Sequence, residues 1–315
     1  MTTFCPIPHT TRDQVWLAVG CAAGLAAGYA LGRRSTPAAL SIPADSSFPT
    51  MGFVGCGTIS VAIITGLCTL PPSQRPARII VSPRNAKKSS ALAAKFPDIV
   101  SVASSNQDVV DQSAIVFLAV LPQIAKEVIP TLNFHEKHTV VSVIAALAID
   151  ELVNLIQPVP AKQVCRAIPL PAVAVHKGAT ICSQHPLAER IFNLLGTAVV
   201  ARDSKELEVL MCISCMMGPF YKMSGVMCNW FVANGVTELT ASNLTNAFHG
   251  TVLSEAEHRV AEVKGPSAFD QLVSEQTPGG LNAANVIDMT ESGTFDQYSK
   301  ALSVTLKRLR GEVSF

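Results

Sequence analysis

Between residues 50 and 200 two hydrophobic patterns alternate along the chain. A short, predominantly apolar run is followed by a turn, and then by apolar positions at helical spacing. Runs at 50–54, 78–81, 114–120, 139–144, 164–168 and 197–200 have the length and apolar density of buried strands. Residues 61–67 carry helical periodicity, and Asp150 is expected to cap a helix running to residue 156. Strands alternating with helices predict a doubly wound sheet covered on both faces. After residue 202 the strand pattern stops. Asp203-Ser204-Lys205-Glu206 has capping-box spacing. Residues 207–215, 221–233, 243–263 and 283–289 read as helices, punctuated by Gly218-Pro219, Asn234-Gly235, Gly265-Pro266 and Pro278-Gly279-Gly280. No internal repeat is evident.

The first strand runs into Gly55-Cys56-Gly57-Thr58-Ile59-Ser60 and then a helix, the order that a dinucleotide-binding fingerprint requires. Gly55 permits the tight turn, and Gly57 lets the backbone approach a pyrophosphate at the helix N-terminus, beside Thr58 and Ile59. Ser60 stands where a third Gly or Ala is usual, which weakens the match. The second strand ends in Ser82-Pro83-Arg84-Asn85, where an NAD site usually carries Asp or Glu. A hydroxyl at Ser82, the cation of Arg84, and Lys87 and Lys88 nearby favour the 2′-phosphate of NADP, with NAD as the second choice. Ligands of such sheets bind beyond the C-terminal strand ends. That rule places Ala119, Val120 and Pro122, and the turn at Ala145, near the nicotinamide. The fold expected is therefore an α/β Rossmann domain over residues 51–202, followed by an all-α C-terminal dimerisation domain over residues 203–315.

Residues 1–50 differ from the rest. Residues 15–32 form an uncharged apolar run close to the minimum length of a membrane span. Within it Gly20, Gly24, Gly28 and Gly32 share one helical face. Arg33 and Arg34 follow directly, so an anchor here would leave the catalytic part in the cytosol or matrix. A signal peptide is disfavoured by the missing basic n-region. An organelle-targeting segment, or a soluble cytoplasmic protein whose translation starts at Met51, are the competing readings. Residues 35–49 read as a linker.

Composition narrows the classes. Apolar residues make up 49% of the chain and charged residues 15%, which excludes a disordered chain. With Lys plus Arg at 24 against Asp plus Glu at 23, no basic stripe suggests nucleic acid. Nine cysteines in irregular spacing argue against a disulfide framework. Cys212 and Cys215 form a lone C-x-x-C, read as two small core residues on one helical face. No metal is expected.

Taken together, GFVGCGTISVAI (52–63), VSPR (81–84), LAVLPQ (118–123), VSVIAALAIDEL (141–152), RAIP (166–169), GPFY (218–221) and TPGG (277–280) resemble the pyrroline-5-carboxylate reductase family, from about residue 51 to about residue 309. The resemblance implies a Rossmann domain, a helical dimerisation domain, NAD(P)H, and hydride transfer to a cyclic imine. A homodimer or higher oligomer follows from it. The chain departs from the family at Leu170-Pro171-Ala172, where Asn-Thr-Pro is usual. It departs again at Cys215-Met216-Met217, where Ser-Gly-Ser is usual, and at Leu281-Asn282, where a Thr helps hold the imine. These departures cluster on substrate positions, which suggests a different, bulkier or less polar substrate.

On this reading Thr277, Gly279, Gly280 and Asn282 contact the substrate, and Tyr221 donates a hydrogen bond to it. The alternative for Asn282 is a helix N-cap. Lys222 is a candidate acid/base by analogy with hydroxyacid dehydrogenases, although Val226 stands where their Asn falls; a snorkelling surface residue is the competing reading. His249 and His258 lack metal-ligand spacing, and Ser214 lacks a base. An NADPH-dependent imine reductase is the leading expectation. A β-hydroxyacid-type dehydrogenase and a non-catalytic NADP-binding scaffold are the alternatives.

Overall fold

A computed structural model describes residues 47–314. The apolar run at 15–32, and with it the expected membrane anchor, lies outside the described residues. The elements run in the order β1 (Met51–Val54), α1 (Thr58–Thr69), β2 (Ile79–Val81), α2 (Ala86–Lys95), β3 (Val100–Val102), α3 (Asn106–Asp111), β4 (Ile115–Leu118), α4 (Pro122–Val128), β5 (Thr139–Ser142), α5 (Ile149–Leu155), β6 (Val164–Pro169), β7 (Gly178–Cys182), α6 (Pro186–Leu194) and β8 (Gly196–Val200). These build one sheet in the order β3-β2-β1-β4-β5-β6-β7-β8. Pairing is parallel from β3 through β6. Strand β7 runs antiparallel to β6, and β8 is parallel to β7. The Rossmann arrangement expected from the strand–helix alternation is present.

Two cores flank the sheet because successive side chains point to opposite faces. On one face Met51, Phe53, Ile115 and Phe117 pack with Ile63, Ile64 and Leu67 of α1 and with Ile191 and Phe192 of α6. Phe53 and Phe117 stack on adjacent strands with ring centroids 4.4 Å apart. On the other face Val54, Val116, Leu118 and Val140 pack with Val109, Val110, Ala125 and Leu152 from α3, α4 and α5. Strands buried on both faces explain why these runs read as continuously apolar.

The second half is helical: α7 (Ser204–Met211), a 3-10 turn (Cys212–Met216), α8 (Met217–Ala233), α9 (Glu238–Val263), α10 (Ser267–Ser274), α11 (Leu281–Glu291) and α12 (Thr294–Leu309). Asp203 caps α7 by accepting the Glu206 N–H at 2.8 Å. Glu206 reaches back one residue past the cap and accepts the Arg202 N–H, not the Asp203 N–H that the expected capping box would use. Arg259 of α9 forks onto Glu275 at 2.6 and 2.9 Å, tying α9 to the end of α10.

Several expectations are corrected. The cap of α5 is Ala148, and Asp150 sits inside the first turn, where its charge complements the helix dipole. Helix α8 runs through Gly218-Pro219 instead of starting after it. A proline in the first turn has no intrahelical N–H bond to lose. Cys212 is buried and Cys215 exposed, so the pair does not share a core face; the chain tightens there to 3-10 geometry.

The helical half has almost no core of its own. No residue of α8, α11 or α12 is buried. In the 26 residues of α9 only Ala241 and Thr245 are. Leu281, Leu239, Trp230 and Leu253 are 86%, 72%, 62% and 58% exposed.

Candidate cofactor cleft

The strand order reverses between β1 and β4, and a cleft of about 440 Å³ opens beyond their C-terminal ends. Three loops line it: Gly55, Cys56 and Gly57 after β1; Arg84, Asn85 and Ala86 after β2; Ala119, Val120, Leu121 and Ile124 after β4. A switch point of this kind is where open α/β sheets bind their ligands.

The glycine turn is held from two sides. The Gly55 N–H donates to the Ser82 hydroxyl at 3.1 Å. The Ser60 hydroxyl donates to the Gly55 carbonyl at 2.8 Å. Both serines are fully buried. Ser60, the departure from the fingerprint, thus gives the turn a hydrogen bond that Gly or Ala could not supply. Ser82 lies behind the turn, not on the cleft surface, and its visible role is to position Gly55. Gly55 has φ +103°, and a Cβ there would stand 2.5 Å from the Ala119 carbonyl oxygen. Only glycine fits. Gly57 differs, because a Cβ there would meet nothing within 4 Å. Its side-chain direction opens into free space, so a small residue at this point leaves room for a ligand without being needed by the protein's own packing.

Helix α1 begins at this turn. Its first intrahelical bond is Val61 N–H to the Gly57 carbonyl, and no acidic residue occupies its first turn. The N–H groups of Thr58, Ile59 and Ser60 therefore face the turn without helical acceptors, a setting suited to phosphate. Ile59 packs its side chain against the core, and Thr58 is exposed. Arg84 is exposed at the cleft and, among the described residues, forms no ion pair. The donor set matches a dinucleotide: helix N–H groups for a diphosphate and a free guanidinium for a further phosphate.

Ala119 and Val120 line the cleft as expected. Pro122 is the first residue of α4 beside it, and Ala145 lies on the exposed turn after β5. The cleft also uses Cys56, Asn85, Ala86, Leu121 and Ile124, which sequence reasoning passed over although they flank the motif residues. Burial pushes the Cys56 thiol up, with a smaller opposing effect of Lys88. Arg166 was missed as well. The signal available was a lone cation inside the apolar strand VCRAIP.

Residues 50–146 match the family described as NADP oxidoreductase coenzyme F420-dependent. The pyrroline-5-carboxylate reductase of Pisum sativum is 27% identical over 288 residues, covering 85% of this chain and 98% of the pea protein. The chain is thus similar, at low identity over most of its length, to proteins named pyrroline-5-carboxylate reductase. Pyrroline-5-carboxylate reductase 2 of Rattus norvegicus is 28% identical over 165 residues, which covers 51% of this chain and 48% of the rat protein. The solved reductase of Streptococcus pyogenes superposes with a TM-score of 0.69 at 20% identity, covering 84% of this chain and 99% of that one. The Plasmodium falciparum enzyme, solved with NADP bound, gives 0.69 at 17% identity, with coverage of 84% and 98%. These two show the shared fold.

The expected substrate residues are not among those that line the cleft. Thr277, Gly279 and Asn282 are exposed and Gly280 is half-buried, on the turn leading into α11. None of them lines the cleft, nor do Tyr221 and Lys222, both exposed on α8. The N-cap of α11 is Gly280, so Asn282 is not a cap. Its amide donates to Gln276 Oε1 at 3.0 Å instead.

Proposed function

We propose that this chain is an NADPH-dependent oxidoreductase that reduces the C=N bond of a cyclic imine and works as a homodimer. The observation that carries the cofactor reading is the turn pinned by Ser82 and Ser60, opening past Gly57 onto a cleft that also holds Arg84. The α1 N-terminus would take the diphosphate and Arg84 the 2′-phosphate. Ala119, Val120 and the Ala145 turn would leave space for a flat ring. When bound, the reduced nicotinamide supplies the hydride. The residues of this chain bind, orient and exclude water. The imine assignment rests on similarity, since the relatives bear the name pyrroline-5-carboxylate reductase. Cys215, Met216 and Met217, where the family has Ser-Gly-Ser, favour a substrate less polar than pyrroline-5-carboxylate.

The homodimer rests on the helical half. Leu239, Trp230, Leu253 and Leu281 are each more than half exposed, and α8, α11 and α12 bury no residue within one chain, as helices that pack against a second copy would. The stretch Ser204–Ala233 is also long and apolar enough to cross a membrane by length and composition. Its packing against α9 and α12 favours a protein partner over lipid. On this reading the turn at Thr277, Gly279, Gly280 and Asn282, which does not line its own chain's cleft, completes the substrate side of the partner copy.

The test is NADPH consumption by the full chain with pyrroline-5-carboxylate, a panel of larger cyclic imines, and a panel of β-hydroxyacids with NADP. Turnover with at least one imine is expected. Turnover confined to hydroxyacids, or tight NADPH binding without turnover of any imine, overturns the proposal.

A further inference from the structure

A second cation reaches the glycine turn from the side. Lys88 lies in the first turn of α2, half-buried, and its Nζ donates a 3.0 Å hydrogen bond to Oγ1 of Thr58, the first residue of α1. It is held there by the local fold. Asn85 caps α2, and its side chain accepts the backbone N–H of Lys88. The ammonium bears on Cys56 as well, the middle residue of the same turn. Among the described residues no carboxylate lies within ion-pair distance of it. A half-buried ammonium that donates to a neutral hydroxyl keeps most of its capacity to attract an anion.

The two cations of this cleft differ in place. Arg84 stands at the end of β2, on the loop that follows the second strand. Lys88 stands over the entry to α1, where the N–H groups of residues 58–60 lack acceptors. We propose that Lys88 clamps the diphosphate of the bound dinucleotide, leaving the 2′-phosphate to Arg84. The assignment rests on the cofactor reading above and gives it a division of labour. The diphosphate is common to NADPH and NADH, whereas the 2′-phosphate belongs to NADPH alone. Removing Lys88 should therefore weaken both cofactors by one factor. Removing Arg84 should weaken NADPH and spare NADH.

Equilibrium titration of the full chain with NADPH, NADH and ADP-ribose, followed by calorimetry, tests this. Lys88→Gln is expected to weaken all three by about tenfold, the size of one charge-assisted contact. Lys88→Arg should restore most of that loss. Arg84→Gln should weaken NADPH alone. A Lys88→Gln variant that loses NADPH affinity but binds NADH and ADP-ribose normally overturns the proposal, because Lys88 would then read the 2′-phosphate. An unchanged affinity for all three overturns it too. A wild-type chain that binds none of the three overturns the cofactor reading itself, and the Lys88 assignment with it. Circular dichroism and the thermal midpoint of each variant separate lost binding from lost folding.

Discussion

Arg166 donates a 2.6 Å hydrogen bond from its guanidinium to the carbonyl of Ala145, joining the middle of β6 to the turn that follows β5. The side chain is buried. The same terminal nitrogen lies 3.5 Å from the Met211 sulfur, while Nε has no partner. Burial lowers the guanidinium pKa, opposed by Glu208, which itself pairs with Arg310 at 3.3 Å. An arginine held without a contacting carboxylate beside the expected nicotinamide turn positions that turn. Arg166→Met removes this charge-assisted hydrogen bond and is expected to cost about 1–3 kcal/mol, measured by urea denaturation. An undiminished stability would show that the bond contributes nothing net.

Gly55 and Gly57 should respond differently to the same added methyl group. Gly55→Ala forces a side chain into φ +103° and against the Ala119 carbonyl oxygen. It is expected to destabilise the fold by about 1–3 kcal/mol or more, and to abolish dinucleotide binding. Gly57→Ala meets no protein atom, so its thermal midpoint should match the wild type while NADPH affinity falls at least about tenfold. Normal NADPH binding by Gly57→Ala would place the diphosphate elsewhere.

The cofactor half was legible because its signals are local. Gly55, Gly57 and Arg84 line the cleft, and each lies within a few residues of a strand end. What lay hidden was tertiary. A fingerprint is read as backbone clearance, so nothing in the sequence said that the Ser60 hydroxyl would reach the Gly55 carbonyl, or that Ser82 would sit beneath the turn. Strand β3 is three residues long with one face open, and β7 is built on Gly178 and Ala179, so neither shows a strong apolar run. Helix α12 follows directly on α11 with charged residues at both ends, and its periodicity escaped notice. Thr277, Gly279, Gly280 and Asn282 do not line the cleft, and nothing local to a TPGG turn encodes which surface it faces.

If a second copy covers the helical half, charges placed there should split the assembly. Trp230→Asp combined with Leu253→Asp, on α8 and α9, is expected to halve the mass seen by light scattering coupled to size exclusion. Imine turnover should be lost while NADPH affinity stays within about threefold, since the cleft lies wholly on the sheet. A variant that remains a dimer would show that these faces are covered by something else.

Two histidines set the response to mild acid. His185 is buried with neither ring nitrogen hydrogen-bonded, and burial lowers its pKa below 6.5. His138 is lowered first by burial and then by His135, with Asp111 opposing. Its Nδ1 accepts the His135 N–H at 3.0 Å, which requires the neutral ring to present a lone pair there. A histidine depressed in the folded state binds its proton more readily when unfolded. As pH falls through the unfolded value near 6.5, the unfolded chain takes up protons that the folded chain refuses, and stability drops by up to about 1.4 kcal/mol per pH unit for each ring. The loss continues until pH reaches the folded values. Asp203, held low by the Glu206 N–H, and Glu206, held low by Arg202, stay ionised in this window and do not contribute to the slope. Denaturant unfolding between about pH 7.5 and about pH 5 should therefore show stability falling toward acid, and the double variant His138→Gln, His185→Phe should flatten that dependence. An equal slope in the double variant would assign the acid sensitivity to other groups.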